Sequence, residues 1–169
     1  MPDPFFDLSS KDKYDALQVA ASRSGRSAHL LEKDIWVVWT LSALFDAPFA
    51  PHLVFKGGTS LSKGYQAIER FSEDVDVTYD IRAIVPDLVP ANGDGLPPSR
   101  SQEQRWSKVI RERLEVWVRD TVSPVLIERL QDERITARVT AQADICQIEY
   151  EPQAEGSGYV RPVVLRRAL

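Results

Sequence analysis

The sequence has a single cysteine, Cys146, so it can form no internal disulfide, and one thiol cannot build a cysteine-based structural zinc site. A reducing compartment, the cytoplasm, fits that usage. Histidine is nearly as scarce: His29 and His52 stand alone, without the spacing of a metal-ligand pair. Basic charge is also short. With 21 Lys and Arg against 25 Asp and Glu, the formal net charge is −4, which argues against a protein that coats nucleic acid by bulk electrostatics. A local basic patch stays open. No apolar run is long enough to span a bilayer; Ile35 to Phe45 reaches about half that length and is preceded by Glu32, Lys33 and Asp34. The N-terminus, MPDPFFDLSSKDKYD, lacks the basic start and apolar stretch of a signal peptide. The expectation is a soluble, cytoplasmic protein with no membrane association.

What is present is an ordinary globular composition, 43% apolar and 27% charged, which supports a packed core rather than disorder. A chain of 169 residues suits one domain, expected here over 1–169, with N-terminal helices over 1–47 and an α+β core over 48–169. Ser9 or Ser10 can cap a helix from Lys11 to Arg23 that Gly25 stops. Ser27 can cap a second, AHLLEKDIWVVWTLSALFDA, apolar nearly all round after Asp34 and so expected to be buried. Lys33 and Asp34 read as solvating one edge of it, and Asp34 as adjacent to a site at most. Trp36 and Trp39, like Trp106 and Trp117, have helical spacing and read as core.

Leu53 to Lys56 reads as a short strand, Thr59 to Ile68 as a helix, and Asp74 to Tyr79 as a strand with its acids on one face. Prolines and the turn ANGDG make 81–101 a long surface loop. A helix over Gln102–Asp120 follows, then a short one with Ser123 as cap and Pro124 at its first position. Strands are expected at Ile135–Thr140, Ile145–Tyr150 and Tyr159–Leu165. That order of helices and strands gives an α+β domain.

The chemistry-bearing constellation is positional. A strand ends in Gly57-Gly58-Thr59-Ser60, a helix starts there, and the next strand presents Asp74-x-Asp76. Glycines at a helix start let the backbone approach a phosphate, and the free N–H groups attract anions. Carboxylates at i and i+2 on a strand share a side and can hold hard divalent cations. A Gly-Gly pair alone is most often a turn and a lone D-x-D most often a solvated edge. Their order along the chain is what points to a triphosphate held beside a metal.

The string GGTSLSKGY…IERFSEDVDVTYD, with the Glu32-Lys33-Asp34 helix upstream, resembles the AbiEii/AbiGii-type abortive-infection toxins of the DNA polymerase β-like nucleotidyltransferase superfamily. The resemblance implies a polymerase β-like core, a mixed sheet flanked by helices, behind an N-terminal helical pair. It implies that Gly57, Gly58, Thr59 and Ser60 cradle nucleotide phosphates, and that Ser72 lines that site. Arg70 would neutralise phosphate charge, with pairing to Glu69 or Glu73 as the bland alternative. Lys63 joins the nucleotide-binding candidates, although, like Lys56, it reads more readily as a solvated or snorkelling side chain than as a catalytic one. Asp74 and Asp76 become catalytic ligands of magnesium in a two-metal site. A nucleoside triphosphate is the implied substrate, transfer RNA a candidate acceptor, a cognate antitoxin a candidate partner, and phage defence the setting.

Such sites use a third carboxylate from a later strand, and AbiEii-type relatives carry further motifs in a C-terminal helical region. This sequence stops at Leu169, so that region is expected to be absent, and its last strand offers Arg166 and Arg167 rather than an acid. Glu149 is the best-placed substitute, sharing the polar face of its strand with Ile145 and Gln147; Asp144 precedes the same strand. Two readings follow: an active nucleotidyltransferase, or a catalytically incomplete fragment that binds a nucleotide or an antitoxin.

Overall fold

The computed structural model describes residues 4–56, 74–90, 92, 95–154, 156 and 163–168. Helix α1 spans Ser10–Ser24 and starts and stops on local signals. The Ser9 hydroxyl oxygen accepts from the Asp12 N–H, and Gly25 takes a left-handed φ of 70° while its N–H donates to Ala21 O. Of its side chains only Leu17 is buried. Helix α2, Ala28–Phe45, buries Trp36, Val37, Trp39, Ala43 and Leu44.

Five strands form one mixed sheet: β1 Leu53–Lys56, β2 Asp74–Tyr79, β3 Ala137–Gln142, β4 Ile145–Tyr150 and β5 Val163–Ala168, in the order β1-β2-β5-β4-β3. β2 and β5 run parallel; the other neighbours are antiparallel. One face of the sheet is buried. Val75, Val77, Tyr79, Cys146, Ile148, Tyr150 and Val164 join the α2 residues in a single core cluster. Trp36 stacks on Tyr150 with ring centroids 4.6 Å apart. The expected core roles of Trp36 and Trp39 hold.

Two expectations need correction. Residues 81–101 are not simply a surface loop. Asp80 caps a one-turn helix α3, Ile81–Ile84, by accepting from the Arg82 N–H at 2.9 Å, and Ile84, Val85 and Val89 are buried in the core. Arg113 on the next helix holds this segment down, donating to Ile84 O and forking onto the Asp87 carboxylate.

Nor does Ser123 cap a separate helix. Helix α4, Arg100–Trp117, runs through a π-helical turn, Val118–Val122, directly into α5, Ser123–Asp132, and the Ser123 hydroxyl donates to Val118 O at 3.0 Å. Pro124 has no N–H to give residue 120 and its ring would crowd that carbonyl. The wider π turn absorbs the defect without ending the helix.

The α2 and α5 helices are joined by polar contacts at their ends. The Trp39 indole donates to Glu133 at 2.7 Å, Glu133 also takes Arg129, and Arg129 reaches Asp46 at 3.2 Å.

Candidate functional site

β2 is built by alternation. Val75 and Val77 are 0% and 2% exposed and fill the core under α2, so positions 74, 76 and 78 fall on the opposite face. The register fixes what stands beside them. Lys56 on β1 is opposite Asp76, and on β5 Leu165 is opposite Asp74 and Arg167 opposite Asp76. Two cationic positions therefore bracket Asp76 from adjacent strands. Paired carboxylates at i and i+2 are a hard oxygen donor set suited to a divalent cation, and flanking cations suit a phosphate beside it. Among the described residues no group of three or more His, Cys, Asp or Glu converges as a metal cage.

Gly57, Gly58, Thr59, Ser60, Lys63, Arg70 and Ser72 lie outside the described residues. Glu149 lies on β4, exposed, opposite Val163 of β5 and Arg138 of β3. β5 stands between β4 and β2. Glu149 is therefore two strand spacings, roughly 10 Å, to the side of the Asp74–Asp76 strand. The position nearest Asp74 on the adjacent strand belongs to Leu165.

The sequence reading missed the burial of charge at the start of α2. Glu32 and Lys33 are 2% and 3% exposed, so Lys33 does not solvate a helix edge as expected; Asp34 is half-buried. Glu32 is covered by the chain that leaves β4. Glu32 accepts hydrogen bonds from the backbone N–H groups of Gln153, at 2.8 Å, and Ala154, at 3.2 Å. Burial pushes its carboxyl above the usual range, and those two amides pull partly the other way. One signal was available: Glu32 stands four residues before Trp36, on the stripe that continues through Trp39 and Ala43.

Residues 39–165, well over half of the chain, match the family model described as "Nucleotidyl transferase AbiEii toxin, Type IV TA system". No curated protein and no solved structure matches the chain. No described helix is long and apolar enough to cross a membrane.

Proposed function

This chain belongs to the AbiEii nucleotidyl transferase toxin family, and from that membership we propose a magnesium-dependent enzyme that transfers a nucleotidyl group from a nucleoside triphosphate to an acceptor hydroxyl. The acceptor oxygen bonds to the α-phosphorus, the bond to the bridging oxygen breaks, and pyrophosphate leaves. Transfer RNA is the proposed acceptor, a cytoplasmic toxin–antitoxin pair in phage defence the proposed setting, and the cognate antitoxin the proposed partner.

The single observation that carries the reading is the alternation on β2, in which core residues 75 and 77 hold positions 74 and 76 to the face opposite the core, with Lys56 and Arg167 in register beside position 76. Asp74 and Asp76 are assigned to hold magnesium. When bound, the metal supplies neutralisation of triphosphate charge and a lowered pKa for the attacking hydroxyl. Gly57, Gly58, Thr59 and Ser60 are assigned to the phosphates by their backbone N–H and hydroxyl groups, with Lys63, Arg70 and Ser72 beside them. Glu149 is the acid assigned to the third position, to complete the metal site and activate the attacking hydroxyl, and this requires it to act across β5.

A second reading has one observation in its favour. The β5 positions opposite Asp74 and Asp76 are Leu165 and Arg167, not acids. A chain so arranged could bind nucleotide or antitoxin without turnover.

One experiment separates the readings: isothermal titration of a nucleoside triphosphate with and without magnesium, beside transfer of labelled nucleotide to bulk RNA. Asp74→Asn with Asp76→Asn is expected to abolish magnesium-dependent binding. Unchanged affinity in that double variant would sink both nucleotide readings. Binding without transfer by the parent chain would favour the second. Transfer undiminished in Glu149→Gln would move the third acid elsewhere.

A further inference from the structure

A cavity of about 200 Å³ lies between the N-terminal segment, α1, the start of α2, the turn into β3 and the exit of β4. It exceeds the roughly 150 Å³ that holds a benzene molecule, so there is room for one small ligand. None of its described lining residues comes from β1 or β2, and it is a separate place from the Asp74–Asp76 strand. We propose that this cavity binds a small zwitterion of the α-amino-acid class.

The charge pattern selects that class. Among the described residues the lining carries Lys13 and Arg134 as cations and Glu32 and Glu151 as anions. Their formal charges cancel, so a phosphate or a divalent ion meets as much repulsion as attraction. A ligand with its own separated ammonium and carboxylate meets both signs favourably. Phe5 and Phe6 add aromatic wall for a side chain.

Two features make the polar walls specific. Glu32 is 2% exposed and fixed by the Gln153 and Ala154 amides, one on each oxygen. A carboxylate has about four acceptor positions, so acceptor capacity remains for an ammonium.

Arg134 has a φ of 56°, at the end of α5, where its N–H donates to Gln131 O and the Ile135 N–H to Leu130 O. Glycine is the residue that such a left-handed helix stop favours. Arginine there has a conformational cost with no compensating salt bridge among the described residues, and its side chain lines the cavity. Presenting a guanidinium to a ligand carboxylate accounts for that choice.

The test is isothermal titration of the full chain with each of the twenty L-amino acids, with inorganic phosphate and magnesium alone as controls. At least one amino acid is expected to bind at one per chain. Its N-acetyl and ester derivatives, each lacking one charge, are expected to bind at least about tenfold more weakly. The N-acetyl arm also excludes a site for acidic groups in general, and the ester arm a site for amines in general. Arg134→Gly should lose binding by at least about tenfold while its melting temperature stays level or rises, because glycine accepts the same backbone conformation. No binding at millimolar concentration, equal binding of the blocked derivatives, or full binding by Arg134→Gly would each overturn the proposal.

Discussion

Glu133→Ala tests whether the contact between α2 and α5 is a polar clamp or incidental. Glu133 accepts from the Trp39 indole at 2.7 Å, and Trp39 is 5% exposed, so removing the acceptor strands a buried N–H donor. Losing a hydrogen bond to a charged acceptor at such a site costs about 1.5–3 kcal/mol. Arg129, with its side chain about a quarter exposed, loses one of two carboxylate partners but keeps Asp46; a partly solvated pair adds only about 0.5–1 kcal/mol. The expected loss is roughly 2–4 kcal/mol, read as a shift in the urea midpoint at constant slope. Trp39→Phe removes the indole donor and keeps an aromatic ring. In the double-mutant cycle the coupling between positions 39 and 133 should be about 1–2 kcal/mol. A coupling below about 0.3 kcal/mol would refute the reasoning, because it would mean that the indole loses nothing when its acceptor goes.

Asp80→Ala should destabilise by about 1 kcal/mol near neutral pH, through loss of the cap on α3. The Arg82 backbone N–H, then its guanidinium, hold the Asp80 carboxyl below its usual value. This contribution is therefore present above the unfolded carboxylate range and is lost as pH falls through the lower folded value, so the two proteins should converge in acid melts. Leu17→Ala removes the one buried side chain of α1 and should cost about 2–4 kcal/mol, visible as faster proteolysis around Gly25. Ala143→Gly should stabilise by about 1 kcal/mol in urea titration, since Ala143 holds a φ of 53° in the two-residue turn between β3 and β4.

The elements that the sequence made legible are those set by neighbours in the chain. Ser9 and Gly25 bound α1 within a residue of expectation, and the alternation of Ile145–Tyr150 gives β4 with its expected bounds. The α+β class follows from element order. Less legible were features decided by distant contacts. Proline after serine reads as a helix start, yet the packing of Val118 and Val122 keeps α4 and α5 continuous through a π turn. Val85 and Val89 sit among prolines that read as loop, and only Arg113, from a helix further on, shows that the segment is held down. At the candidate site, the alternation of Asp74 and Asp76 was readable from period two alone. That β5 would lie beside β2, separating Glu149 from it, was not: strand order is set by pairing across some ninety intervening residues, for which local pattern carries no signal.

That pairing also ties stability to the candidate chemistry. A one-residue slip of β2 would move Val75 and Val77 out of the core and carry positions 74 and 76 into it, so the buried valines are what hold the acids' positions on the other face. α2 covers those valines, and the Trp39–Glu133 contact joins α2 to α5. Variants in that clamp should therefore lower the unfolding free energy while leaving β2 in register in the molecules that remain folded. Activity per folded molecule would stay level even as total activity falls with temperature. A change at Asp74 or Asp76 should do the reverse, removing magnesium-dependent binding with little effect on the melt. If a clamp variant instead lost activity in step with no change in its unfolding curve, the separation of the two sheet faces into a packing side and a working side would not hold.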